Sequence, residues 1–132
     1  AAAPARSVDA EAVMDEAALD AIRALQRPGK PDLVQRIIGT YLAEAPQLVA
    51  SLRRALSAKD IAAVGAAAHG LKSSSANIGA AVLADVCKDI ETCARRDAIL
   101  PEPALVESMT VEVERAVAAL EARLRDDGRR VA

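Results

Sequence analysis

Apolar positions recur at three- and four-residue spacing along almost the whole chain, which is the pattern of helices that bury one face. No strand-like alternation of useful length interrupts it, and no internal repeat is present. The first helix is predicted from Asp15, a residue suited to cap a helix start, to Gln26, burying Leu19, Ile22 and Leu25. Pro28-Gly29-Lys30-Pro31 then breaks the chain. A second helix starting near Asp32 carries the strongest stripe: Val34, Ile37, Ile38, Tyr41, Ala45, Leu48, Val49, Leu52 and Leu56. Pro46 interrupts it without changing its phase, so a kink is expected rather than a stop.

Three more helices follow. Ser57-Ala58-Lys59-Asp60 is a turn, and the helix from Ile61 to Ile78 closes at Gly79, where a left-handed residue costs little. The next runs from about Ala81 to Arg96, with the stripe Leu83, Val86, Cys87, Ile90 and Ala94. Beyond Pro101 and Pro103 the last helix shows Val106, Met109, Val113, Ala116, Leu120 and Leu124. The fold expected is all-α: an antiparallel four-helix bundle, up-down-up-down, with an additional short N-terminal helix over one end. Residues 1–12 read as a flexible linker, 13–126 as the bundle and 127–132 as a frayed charged tail.

Composition removes several function classes. Apolar residues make up 52%, much of it alanine, and one Tyr stands without Trp or Phe. The net charge of −2 offers no basic field for nucleic acid, and there are no aromatic platforms for stacking bases. No apolar run approaches the ~18–20 residues of a membrane span, and the opening residues lack the n-region and continuous h-region expected of a signal peptide. A cytoplasmic fragment without membrane contact is expected, its parent protein being compatible with an inner-membrane anchor. Cys87 and Cys93, six residues apart, are separated by about 9 Å along a helix, beyond disulfide reach. Both are expected to be buried structural thiols, and one distant His is too little for a zinc site.

Candidate chemistry gathers at the single histidine. In the helix Ile61 to Ile78, Val64, Leu71 and Ile78 form an apolar line at every seventh position. At about 100° per residue His69 points roughly 200° from Leu71, toward solvent. Its neighbours on that side are Ala62, Gly65, Ala66, Ser73 and Ala76, all small, with Lys72 as the one charge. Gly70 follows directly, although glycine within a helix costs about 0.5–1 kcal/mol relative to alanine. An imidazole on a bare surface beside a cation is the layout of a site that another macromolecule must approach closely. Ser73, Ser74 and Ser75 lack a base and read as small packing residues, Asn77 as a helix-end or near-site residue, and Asp60 as part of an N-cap.

The stretch from Ala68 to Ala80, with His69, Leu71-Lys72, a run of small residues and Gly79 ten positions after the His, resembles the signature of histidine phosphotransfer (HPt) domains. Tyr41-Leu42 with Glu44-Ala45-Pro46 is similar to that family's second helix. Leu83, Cys87, Ile90-Glu91 and Ala94-Arg95 are similar to its fourth. The resemblance covers about Val13 to Arg125; Ser73 departs from it, since many members carry glycine after the lysine. It implies a phosphorelay intermediate: His69 accepts a phosphoryl group from a receiver-domain aspartate and passes it to the aspartate of a response regulator. Lys72, at i+3, is placed to stabilise the phosphoryl charge. Ala66, Gly70, Ser73 and Ala76 are the expected docking surface, and Gly79 the structural residue.

The chain shows no nucleotide-binding glycine loop and no carboxylate cluster for a metal, so no kinase activity and no cofactor of its own are expected. Mg²⁺ is expected on the partner receiver. The placement expected is the C-terminal module of a hybrid sensor histidine kinase. The alternative is a receiver-binding helical scaffold that docks partners without carrying phosphate.

Overall fold

The computed structural model of the chain describes residues 14–30 and 32–131, with side chains as far as 126. The expected linker, residues 1–12, lies outside the described residues. Among the described residues all regular structure is helical: α1 (Glu16–Arg23), α2 (Leu33–Ser57), α3 (Ile61–Ile78), α4 (Ala81–Arg95) and α5 (Pro103–Val131). Helices α2 to α5 close a ring, α3 packing between α2 and α4, and α5 between α4 and α2. Short connections make sequence neighbours antiparallel, which gives the four-helix bundle, and α1 rests on α2 and α3.

Helix starts follow from short acidic caps. The carboxylates of Asp15, Asp32 and Asp60 accept from the backbone N–H groups of Ala17, Gln35 and Ala63 at 3.0, 3.0 and 3.1 Å. Each satisfies a donor that the first helical turn leaves unpaired. α2 runs unbroken through Pro46, which lies on its exposed side, where water can serve the carbonyl that proline cannot. The core is one cluster that includes Leu19, Ile38, Leu52, Val64, Leu71, Ile78, Leu83, Ile90, Met109 and Leu120. One polar pair crosses it: the Tyr41 and Ser75 hydroxyls stand 2.8 Å apart between α2 and α3. Burial raises the Tyr41 phenol above its ordinary value, the Ser75 hydrogen bond working against it.

Four expectations need correction. α1 ends at Arg23, not Gln26, and Leu25 is 69% exposed instead of buried. The Gln26 side chain explains the early end, because it organises the following loop. Its Nε2 donates to the carbonyls of Arg27 (3.2 Å) and Lys30 (3.1 Å), and its Oε1 accepts from the Leu33 N–H at 2.6 Å. Gly29, at φ +78, completes the reversal. At the other end α5 continues to Val131, so the backbone of the tail is helical where fraying was expected; Gly128 does not break it. Cys87 is buried, and burial pushes its thiol up to about 12, but Cys93 is only half-buried; both are free. Gly65 is buried and not part of an open face, for a reason that lies in α4.

Gly79 joins α3 to α1. It adopts φ +89, and a Cβ built there would stand 2.5 Å from the carbonyl oxygen of Asp15. The Asp15 N–H donates to the Gly79 carbonyl, so the two segments touch backbone to backbone. Gly79→Ala should cost the left-handed penalty of about 1–2 kcal/mol plus the displacement of Asp15. Urea unfolding should therefore show a loss of about 2–4 kcal/mol. A loss under about 0.5 kcal/mol would mean that α1 is not held at this junction.

Candidate functional site

α3 offers His69 because its buried stripe (Val64, Ala68, Leu71, Ser75 and Ile78) leaves that position on the outer flank. The imidazole side chain is 52% exposed. Lys72, one turn on, is less open at 30%. Ala66 and Ala76 are exposed, and Gly70 and Ser73 are half-buried. A Cβ at Gly70 would meet only Cδ2 of Leu48, at an ordinary 3.8 Å. Ser74 and Asn77 turn toward a shallow groove between α2 and α3, which Ile37, Thr40, Tyr41 and Glu44 also line.

His69 does not stand beside a single cation. α4 leans Glu91 against it, and that side chain, only 12% exposed, takes three donors. His69 Nδ1 lies 2.9 Å from Oε2. Lys72 Nζ donates to Oε1 at 2.6 Å, and Arg95 Nη1 to Oε2 at 2.8 Å. The Lys72 hydrogen bond is the largest influence holding the Glu91 carboxyl below its ordinary value; burial opposes it and His69 adds to it. An ionised carboxylate only accepts, so His69 Nδ1 must carry the proton of this bond. In the neutral imidazole that leaves the lone pair on Nε2. Glu91 thus selects the tautomer, aims the ring and holds the lysine one turn away.

Reasoning from the sequence missed Glu91 and Arg95 as parts of this site. A helical wheel of α3 contains only α3 residues and cannot say which neighbour leans over them. The available signal was Glu91 and Arg95 at i,i+4 on the flank of the α4 stripe, an ion-pair spacing beside the seam with α3.

The model of the Hpt domain family matches residues 36–124, which is more than half of the chain. The chain belongs to the Hpt domain family. It is 31% identical over 75 residues to histidine-containing phosphotransfer protein 2 of Arabidopsis thaliana, a match covering 54% of this chain and 48% of that protein. The Hpt chain described here therefore spans about half the length of that relative. Its fold is similar to the crystal structure of histidine-containing phosphotransfer protein B from Pseudomonas aeruginosa PAO1. There the TM-score is 0.77 and the identity 28%, over 86% of this chain and 96% of the other. The match includes α3 and α4, the two helices that build the Glu91 site.

The lowered Glu91 carboxyl carries a pH signature. A carboxyl held below its unfolded value, about 4.3, adds stability that is complete above that value. The contribution drains away as pH falls through the lower folded value. Urea unfolding between about pH 5 and 3 should therefore show a steeper loss of stability in the wild type than in Glu91→Gln. Equal slopes would mean that Lys72 and His69 do not favour the ionised carboxylate.

Proposed function

We propose that this Hpt domain is a phosphorelay intermediate in two-component signalling, with His69 as its phosphoryl carrier. The supporting observation is the single imidazole, half exposed and anchored through Nδ1 to Glu91. The Nε2 lone pair attacks the phosphorus of a receiver's aspartyl phosphate. A nitrogen–phosphorus bond forms while the bond from phosphorus to the aspartate oxygen breaks, and the aspartate leaves as a carboxylate. Running the same step backward onto a second receiver returns the phosphoryl group to oxygen. Glu91 accepts the Nδ1 proton bond throughout and so stabilises the imidazolium character that develops as Nε2 becomes bonded.

Lys72 supplies charge. Its ammonium is held by Glu91 one turn from His69, within reach of the phosphoryl oxygens by rotation of a flexible stem. Such transfers depend mainly on positioning and charge neutralisation, so a small set of residues suffices when the partner brings the aspartate and the Mg²⁺. Ala66, Gly70, Ser73 and Ala76 form the surface for the receiver's rim, because small side chains let the reacting atoms come into line. Members of this family are phosphotransfer carriers, not kinases, and their partners are receiver domains. Among the described residues no helix is long and apolar enough to cross a membrane. The hybrid-kinase parent is the placement we adopt for the module.

His69→Gln should accept no label from a phosphorylated receiver while its melting temperature stays within a degree or two, since the side chain is exposed. Labelling that persists in this variant would remove His69 from its role and favour a docking scaffold. Lys72→Ala should slow transfer by ~10–1,000-fold. A wild-type rate in that variant would reduce the lysine to a brace for Glu91.

A further inference from the structure

Leu25, at 69%, is the most exposed large apolar side chain among the described residues. It does not stand on a loose segment. The Gln26 side chain donates to the carbonyls of Arg27 and Lys30 and accepts from the Leu33 N–H. The Lys30 N–H returns to the Arg27 carbonyl at 3.2 Å. A loop held by its own hydrogen bonds thus keeps a leucine in water, away from the apolar stripe that would bury it.

The charge around Leu25 has one sign. A pocket of about 230 Å³ is lined by Leu25, Gln26, Arg27, Lys30, Leu33 and Arg36. Arg27, Lys30 and Arg36 are exposed, and among the described residues none of their side chains has an acidic partner. The nearby acids are engaged elsewhere: Asp20 pairs with Arg23 at 3.1 Å, and Asp32 accepts from the Gln35 N–H at 3.0 Å. The gathered cations repel one another, in a chain whose net charge is −2. An anionic partner with an apolar side chain relieves both the repulsion and the exposed leucine.

This surface is remote from His69. The Tyr41–Ser75 contact sets the register of antiparallel α2 and α3. Arg36 lies about 7.5 Å before Tyr41 along α2, and His69 about 9 Å before Ser75 along α3. The two are therefore about 16 Å apart along the bundle, and the loop lies further still.

We propose that the α1–α2 loop is a docking surface for an acidic polypeptide segment. The segment sets one apolar side chain against Leu25 and Leu33 and its carboxylates on Arg27, Lys30 and Arg36. The pocket falls short of the about 300–1,000 Å³ of small-molecule sites and has room for a side chain. A lipid surface is flat and draws on clusters of about four to eight cations, whereas this surface is concave and holds fewer. Charge complementarity sets the partner's sign, and Leu25 supplies the apolar contact. The role of this surface does not depend on that of His69.

The test uses the full chain with a peptide whose central leucine is flanked by glutamates. The same peptide with lysines for glutamates, and vesicles rich in phosphatidylserine, are the comparisons. Titration of the acidic peptide should move the amide NMR resonances of Leu25, Arg27, Gly29 and Leu33 and leave those of His69 and Lys72 in place. Raising salt from about 50 to about 500 mM should weaken binding several-fold, and the lysine peptide and the vesicles should not bind. Arg27→Glu combined with Lys30→Glu should weaken binding at least about tenfold, and Leu25→Ser about tenfold. Lys59→Glu and Ile99→Ser, at the other end of the bundle, should leave it unchanged. Phosphoryl acceptance from a phosphorylated receiver should keep its wild-type rate in the charge-reversed double variant. Absence of saturable binding, equal binding of the lysine peptide, or binding of the vesicles in its place overturns the proposal. Slowed acceptance in the double variant also overturns it, by making the loop part of the receiver's docking face.

Discussion

One carboxylate organises this molecule's chemistry. Glu91 sits almost buried at the seam of α3 and α4 and receives the imidazole, an ammonium and a guanidinium at 2.9, 2.6 and 2.8 Å. Burying an anion without partners is costly, whereas three donors leave neither oxygen unserved. The arrangement turns a surface histidine, which would otherwise rotate freely, into a ring with one fixed proton and one defined lone pair. It also gathers two cations, from different helices, on the carboxylate that anchors the ring.

The seam has to be close and fixed in register for this to work. Val64, Ala68 and Leu71 of α3 and Cys87, Ile90 and Ala94 of α4 belong to the same buried core. Small residues among them let the two helices approach, and Gly65 admits an arginine stem where an alanine Cβ would collide. The buried Tyr41–Ser75 pair ties α3 to α2 on its other side, since displacing either hydroxyl would leave a polar group without a partner in the core. The functional face is therefore the outer surface of a helix that is held rigidly on its inner one.

Periodicity made the five helices legible, and the caps at Asp15, Asp32, Asp60 and Gly79 marked their ends because each is a local chemical requirement. His69 and its exposure were legible for the same reason: both follow from the phase of one helix. What was missed were particular contacts decided by side chains from outside each helix's own stripe. Leu25 fits the stripe of α1, but the Gln26 side chain turns the chain away before that stripe can bury it. Gly65 looked like open surface because its cover comes from α4. Cys93 was read as lying on the buried stripe of its helix, yet it is only half-buried. Glu91 and Arg95 could be read as residues of α4, but not as partners of a histidine twenty-two positions earlier.

The most direct test is phosphorus–nitrogen NMR on the chain, labelled with nitrogen-15 in its imidazole and phosphorylated by a phosphorylated receiver. The phosphorus should couple to Nε2 of His69, in a species that is labile in acid and stable in base, while Nδ1 stays bonded to Glu91. Coupling to Nδ1, or a phosphoryl group on any other residue, would contradict the Glu91-set tautomer on which the mechanism depends.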